Sequence, residues 1–266
     1  MRIIVTIKQV PETSAVKMDE TTGTMVRDGV EAIINPLDLY AIELALVLRE
    51  AHGGEVIVVS MGPPKAAAAL REALAMGCDH AVLLSDRAFA GSDTWATARV
   101  LASACRKLGD FDLILCGERA TDGDTGQVGP GIAAFLDLPV VSYVSKVEAA
   151  SRDSCRVQRL VETGYEILEM SLPGVLTVVK EVASPRLPTL RGKQRARQAD
   201  VPTWSAEDVG IDPGQVGLAG SPTRVVNIFK PTVARRGQKI VANDQASIVA
   251  AADRVVEFLK QRSVQP

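Results

Sequence analysis

Residues 112–130 read DLILCGERATDGDTGQVGP and constrain this chain more than any other stretch. The apolar run Leu113–Cys116 predicts a buried strand. It empties into a loop with glycines at 117, 123, 126 and 129, and a helical pattern begins near Gln127. A strand that ends in a glycine-rich loop at a helix N-terminus is a natural anion site. Backbone N–H groups point outward, the helix dipole favours negative charge, and glycine permits close approach. A nucleotide phosphate is therefore the first ligand to consider, held by N–H groups from Gly123 to Val128. Against it, Glu118, Asp122 and Asp124 place carboxylates in the loop beside a single cation, Arg119. If phosphate binds, those acids cap backbone N–H groups or meet ribose hydroxyls. The competing reading is an ordinary strand–helix loop with Asp124 or Thr125 as N-cap.

Strand and helix patterns alternate through the first 145 residues. Arg2–Lys8 reads as a strand, and Val16–Arg27 as a small hairpin turning at Thr22-Gly23. Asn35 is expected to N-cap a helix with Pro36 at its first position and Asp38 in its first turn. Leu39, Ile42, Ala45 and Leu46 keep helical spacing, and Gly53 follows the end. Glu55–Ser60 is a strand, Pro64–Met76 a helix closed by Gly77, and Ala81–Leu84 a strand. Ser92 or Asp93 caps a helix to about Lys107. After the glycine loop come a helix to about Leu136 and a strand at Val140–Tyr143. This rhythm predicts an α/β fold with a doubly wound, mostly parallel sheet. Ligands of such sheets sit beyond the carboxyl ends of the strands. Gln9–Thr13, Met61–Pro64, Asp86–Thr94 and Gly117–Gly129 should therefore line one crevice.

The pattern changes after 145. Ser145–Glu148, Arg156–Val161, Glu166–Ser171 and Val175–Lys180 alternate without helices and predict antiparallel strands at the sheet edge. Residues 184–199, SPRLPTLRGKQRARQA, carry five cations and no acid, with no apolar period. They read either as a solvated loop or as an exposed docking loop. Residues 200–240 are turn-rich and lack the periodic apolar positions of a separate core. Gln245–Gln261 is an amphipathic helix with Ile248, Ala252, Val255, Val256 and Leu259 on one side, a stripe that needs a covering surface. The expected division is an α/β nucleotide-binding domain over 1–200 and an extended C-terminal arm over 201–266.

Composition excludes several classes. A net charge of -2 argues against nucleic acid as a partner. No apolar run of membrane-spanning length occurs, and MRIIVTIKQ enters a strand without the apolar core of an export signal. Cys78, Cys105, Cys116 and Cys155 lie far apart and form no CxxC pair, so no zinc site or disulfide framework is signalled and a reducing, cytoplasmic setting is expected. No P-loop, nucleophile elbow or HExxH helix is present. Cys116 ends a strand near the crevice with no histidine close in sequence, so packing is expected of it rather than catalysis. His52 and His80 fall at element edges. With no side-chain catalyst to nominate, any redox chemistry must belong to a cofactor.

Several rare strings occur in one order: IKQVPE (7–12), INPLDLYAIELAL (34–46), MGPP (61–64), REALAMGCD (71–79), LLSDRAFAGSDTWAT (83–97), the GERATDGDTGQVGP loop and PRLPTL (185–190). With these the chain resembles the β subunit of electron transfer flavoproteins over nearly its whole length. The resemblance implies an adenine-nucleotide-hydrolase-like α/β domain in a heterodimer with an FAD-bearing α subunit, on which the terminal helix would pack. It implies AMP in the crevice. By position, Thr6, Asn35, Met61, Gly62, Asp93, Thr94, Thr97, Gly117 and the loop Asp122, Gly123, Asp124, Thr125, Gly126, Gln127 and Val128 match that cofactor site.

MGPP, DRAFAGSDTWAT and DGDTGQVGP resemble the electron-bifurcating and nitrogen-fixation-associated branch, in which a second FAD takes the AMP position. That FAD would accept hydride from NADH. One electron would then pass to a low-potential ferredoxin or flavodoxin and one through the α-subunit flavin to a dehydrogenase or reductase. Leu160 stands where respiratory members often place glutamate, and the docking segment is arginine-rich rather than lysine-rich. Leu190 would be its apolar contact, with Arg186, Arg191, Lys193, Arg195 and Arg197 steering encounter. Two other readings stay open: a small ATP-binding enzyme or nucleotide sensor of similar fold, and a structural subunit holding AMP as a folding element.

Overall fold

A computed structural model describes residues 1–12, 32–226 and 239–261, with the backbone alone at 17–18 and 25–26. Two compact units are present, Met1–Asn227 and Ile228–Pro266.

The first unit is built on a nine-stranded sheet. In chain order its strands are β1 (Arg2–Ile7), β6 (Glu55–Met61), β7 (His80–Leu84), β8 (Leu113–Gly117), β9 (Val140–Ala150), β10 (Ser154–Val161), β11 (Gly164–Ser171), β12 (Gly174–Val178) and β13 (Thr203–Trp204). Their spatial order is β11-β10-β9-β12-β8-β1-β6-β7-β13. All neighbouring pairs from β9 to β13 in that order are parallel; β10 pairs antiparallel with β9 and β11. Two short ribbons stand outside this sheet. β2 (Gln9–Pro11) pairs with β5 (Ala32–Ile34), and β3 (Lys17–Met18) with β4 (Met25–Val26). The latter are the arms of the expected hairpin; its turn at Thr22-Gly23 lies outside the described residues.

Strand alternation divides the core in two. Ile3, Val5, Val56, Val58, Leu113 and Leu115 point to one face, where they meet α1 (Asp38–His52) and α2 (Ala67–Met76). Ile4, Ile57, Val59, Ile114 and Cys116 point to the other, where α3 (Thr94–Leu108) and α4 (Val128–Leu136) cover them. Each fully buried aliphatic side chain contributes roughly 1.5–3 kcal/mol of transfer free energy, so both faces must be covered. The chain starts at β1, moves to β6 and β7, then crosses back to β8. β1 and β8 thus lie side by side at the point where the winding reverses, with their carboxyl ends adjacent.

Four expectations are corrected. Val175–Lys180 is not an antiparallel edge strand: β12 is parallel, central and buried along its length. Its GVLTV run has the continuous apolar character of a strand covered on both faces, not the alternation of an edge. Val140–Tyr143 and Ser145–Glu148 are one strand, β9, interrupted by a bulge. Residues 190–198 are not a loop but a helix, α5 (Leu190–Gln198), capped by Thr189, whose side chain accepts from Gly192 N–H. It packs on α2 without an apolar stripe. Only Ala196 is buried, and guanidinium groups do the joining: Arg195 donates to Leu74 and Cys78 carbonyls, Arg71 to those of Ala196 and Ala199. Finally, Asn35 does not cap α1, whose N-cap is Leu37; its amide is used elsewhere.

The first unit runs past the break expected at 200. β13 extends the sheet, and Ala206, Val209, Ile211 and Val216 fill the α3 side of the core. These four apolar residues are spaced by turns, so they show no period although they are buried. After α6 (Gly217–Gly220), Ser221 and Thr223 are fastened to Asp93. The second unit contains α7 (Gln245–Gln261), on which Ile248, Val255, Val256 and Leu259 are exposed.

Candidate nucleotide site

The carboxyl ends of β8 and β1 are joined by a buried polar cluster. Asp38, at the start of α1, is 6 % exposed. It accepts from the N–H groups of Lys8 (2.7 Å) and Gly117 and from the Asn35 amide (2.9 Å). Burial pushes its carboxyl up to about 7 in spite of these donors and the Lys8 charge. Asn35 is the hinge of the cluster. Its amide also donates to the Arg119 carbonyl (2.9 Å), and its oxygen accepts from Thr121 N–H (3.1 Å). Asn35 thus holds the glycine loop rather than a helix end. Gly117 is required at this junction, because a Cβ there would lie 2.4 Å from an Asp38 oxygen and 2.9 Å from the Leu37 carbonyl carbon.

The loop then turns toward α4. Asp124 and Gly126 take left-handed conformations, with φ of 53° and 64°. Asp124 N–H donates to the Ala120 carbonyl. Among the described residues, the N–H groups of Thr125, Gly126, Gln127 and Val128 have no protein acceptor, as at the first turn of any helix. Gln127 is the N-cap of α4, so neither Asp124 nor Thr125 fills that place. A Cβ on Gly129 would lie 2.4 Å from the Thr177 methyl, so the first turn of α4 presses directly against β12.

The three acids that argued against an anion are each paired with a cation, two cations to three carboxylates, which leaves one negative charge in excess. Asp122 pairs with Lys8 across the strand ends at 2.6 Å. Glu118 and Asp124 both pair with Arg119, at 3.4 and 3.1 Å. Lys8 lies 114 residues from Asp122, so local pattern gives no sign of this second cation.

The other expected residues divide. Thr94 comes to the loop: its hydroxyl donates to the Gln127 side-chain oxygen at 3.3 Å. Thr97 lies one turn further on α3 and is half-buried. Asp93 caps α3 by accepting from Ala96 N–H, while its other oxygen accepts from the N–H and hydroxyl of Thr223. It is therefore a clasp rather than a free ligand group. Thr6 is buried with its hydroxyl on the Cys116 sulfur, 3.1 Å away, and forms the floor beneath the loop. Met61 and Gly62 end the neighbouring strand β6, with Gly62 N–H bonded to the Leu84 carbonyl; among the described residues no hydrogen bond joins them to the loop. Tyr143 was not foreseen and reaches the loop from β9: its hydroxyl lies 3.7 Å from the place of a Gly126 Cβ. Trp95, next to Thr94, packs on Phe135 of α4 and borders an open cavity of about 570 Å³ with residues 219–222.

The docking residues fare unevenly. Leu187 and Leu190 are 86 and 87 % exposed. Arg186 instead folds back on α1, where Glu43 and Glu50 both bind its guanidinium, and it anchors the segment. Arg195 is committed to the Leu74 and Cys78 carbonyls, which leaves Arg191, Lys193 and Arg197 as the outward cations.

All four thiols are buried and none forms a disulfide. Burial pushes Cys78 and Cys116 up to about 12 and Cys155 to about 11. Cys116 is thus a packing residue. Among the described residues no cluster of metal-ligating side chains occurs, and no helix is long and apolar enough to cross a membrane. The arrangement suits a phosphate-bearing ligand: N–H groups without a protein acceptor, close backbone approach at Gly117 and Gly129, paired acids and a threonine at a second helix N-terminus.

The electron transfer flavoprotein domain family matches residues 22–209. The chain is 48 % identical to the electron transfer flavoprotein subunit beta of Thermoanaerobacterium thermosaccharolyticum, over 99 % of this chain and all of that one. It is 45 % identical to the caffeyl-CoA reductase-Etf complex subunit CarD of Acetobacterium woodii, with the same coverage. Protein FixA of Azorhizobium caulinodans is 44 % identical over 98 % of this chain and 95 % of its own. The expected β-subunit resemblance is borne out, and the chain belongs to the electron transfer flavoprotein family, on its β-subunit side.

Proposed function

We propose that this chain is the β subunit of a heterodimeric electron transfer flavoprotein of the bifurcating type, with FAD in the crevice at the carboxyl ends of β1 and β8. The observation that carries this reading is the glycine loop, whose acids are all paired and whose N–H groups from Thr125 to Val128 have no protein acceptor. In a family defined by electron transfer, a site with paired acids and outward N–H groups suits the phosphates of a nucleotide cofactor. The N–H groups of Thr125 to Val128 would hold the phosphates, that of Asp124 being taken by the Ala120 carbonyl; Thr94 would add a hydroxyl, and Asn35 and Thr6 would back the adenosine end. When bound, the flavin supplies hydride acceptance and one-electron transfer. The polypeptide supplies binding and insulation from water. The resemblance of MGPP, DRAFAGSDTWAT and DGDTGQVGP to the bifurcating branch is what favours a second flavin here over AMP. A single-flavin carrier with AMP in the crevice is the alternative.

In this reading an FAD-bearing α subunit covers the exposed stripe of α7, and the cytoplasm, with free thiols, is the setting. The protein purified from its host should contain two FAD and no AMP per heterodimer. Released nucleotides measured by chromatography check this. One FAD and one AMP would establish the single-flavin carrier, and no nucleotide beyond the α-subunit flavin would sink both. The same preparation made without residues 240–266 should separate into its two chains.

The segment 184–199 would meet a dehydrogenase or reductase, with NADH and a low-potential ferredoxin or flavodoxin as the further reactants. Leu190 would be the apolar contact and Arg191, Lys193 and Arg197 the steering charges. Rim charges act chiefly on association rate. Replacing these three by glutamine should slow electron transfer to the partner about tenfold at low salt and little at high salt. Equal rates at every ionic strength would leave the segment as plain surface.

A further inference from the structure

We infer that Tyr143 is a binding residue of this same crevice, its phenol donating a hydrogen bond to the phosphate that residues 125–128 hold. The inference rests on the nucleotide reading above. Its starting point is a break in strand alternation. Leu176 and Val178 of β12 face Val141 and Val144 of β9, so β9 carries one extra residue between those pairs. Val141 and Val144 are both buried in the core under α1, although an unbroken strand would send them to opposite faces. The bulge takes Tyr143 off the face that Val141 occupies.

One class of bulge places a left-handed residue at the extra position and ordinarily uses glycine there. Tyr143 has φ of 60°. Holding an aromatic residue there is strained, so its surroundings must enforce it. They do. Tyr143 N–H donates at 3.1 Å to the hydroxyl of Thr177, a side chain 2 % exposed. The methyl of the same Thr177 abuts Gly129 in the first turn of α4. Glycine would satisfy this backbone without strain, so the side chain is what the site retains.

That side chain reaches Gly126, whose own left-handed backbone shapes the loop. The phenol is accessible, and among the described residues its hydroxyl has no hydrogen-bond partner. It is a neutral donor beside outward N–H groups in a place where every nearby acid is already paired. A phosphate oxygen is the acceptor that fits such a set.

The test compares AMP with adenosine by calorimetry on the heterodimer freed of its crevice nucleotide. Tyr143→Phe should weaken AMP at least about tenfold, the size of one hydrogen bond to a charged acceptor, and leave adenosine unchanged. Tyr143→Gly relieves the strain; it should melt no lower than the parent yet show the same loss toward AMP. Unchanged AMP affinity in Tyr143→Phe, or an equal loss for adenosine, would overturn the inference and leave the nucleotide site standing. A parent protein that binds neither AMP, FAD nor adenosine would overturn both.

Discussion

Replacing Gly117 with valine should empty the crevice and destabilise the fold together. The new Cβ would fall 2.4 Å from an Asp38 oxygen and 2.9 and 3.0 Å from the backbone of Leu37 and Asp38. Most of those atoms are backbone, so no flexible side chain can give way. The start of α1 must shift off the end of β8. Asp38 and Asn35 would then lose their grip on Lys8, Thr121 and the Arg119 carbonyl. Overpacking with loss of a buried polar cluster costs about 3 kcal/mol or more. Nucleotide affinity should fall at least about a hundredfold, since the loop no longer has one conformation to offer. Urea unfolding and bound-nucleotide content measure the two effects. Gly123→Ala is the contrast: its Cβ meets nothing within 4 Å, so both readouts should stay near the parent. A Gly117→Val protein that unfolds normally and keeps its nucleotide would show that this junction does not set the site.

The second large effect is a dependence of stability on pH carried by Asp38. Its carboxyl is raised from the ordinary 3.8 to about 7 by burial. Between those values the folded protein holds a proton that the unfolded chain has released. The contribution to stability is therefore fully present below about pH 4, declines as pH rises to 7, and is constant above. The span amounts to about 4 kcal/mol for a shift of this size. Asp38→Asn should flatten that slope in urea midpoints measured from pH 4 to 8, at a fixed cost from the mismatch of its NH₂ with the Lys8 and Gly117 donors. A slope of equal size in Asp38→Asn would place the proton on another group. Nucleotide retention should track the same range, because Asp38 and Asn35 together hold the loop.

The parallel sheet, its helices and the crevice were legible because each rests on local pattern. Alternating elements imply crossover connections, and strand ends imply a shared edge. Thr94 and the glycine loop could be grouped that way although they lie far apart in sequence. What escaped was pairing at a distance. Lys8 looked like a strand terminus until the fold laid it against Asp122. Asn35 had the composition of a helix cap, yet the better partners for its amide came from residues 119 and 121. β12 was misplaced because four consecutive strands without helices suggest a meander; only the burial of both its faces shows that it returns to the middle of the sheet. α5 was missed because its contacts with α2 are made by arginines and carbonyls, which leave no apolar period. Tyr143 gave no signal at all, since a bulge depends on the register of a neighbouring strand.

The four buried thiols carry a last consequence. A sulfur that stays protonated neither attacks a disulfide nor is readily oxidised, because thiolate is the reactive form. Burial keeps Cys78, Cys116 and Cys155 protonated through any physiological pH and pushes Cys105 the same way. Thiol–disulfide chemistry is thereby closed to this polypeptide. Alternating exposure to reductant and air should therefore leave its four thiols unmarked.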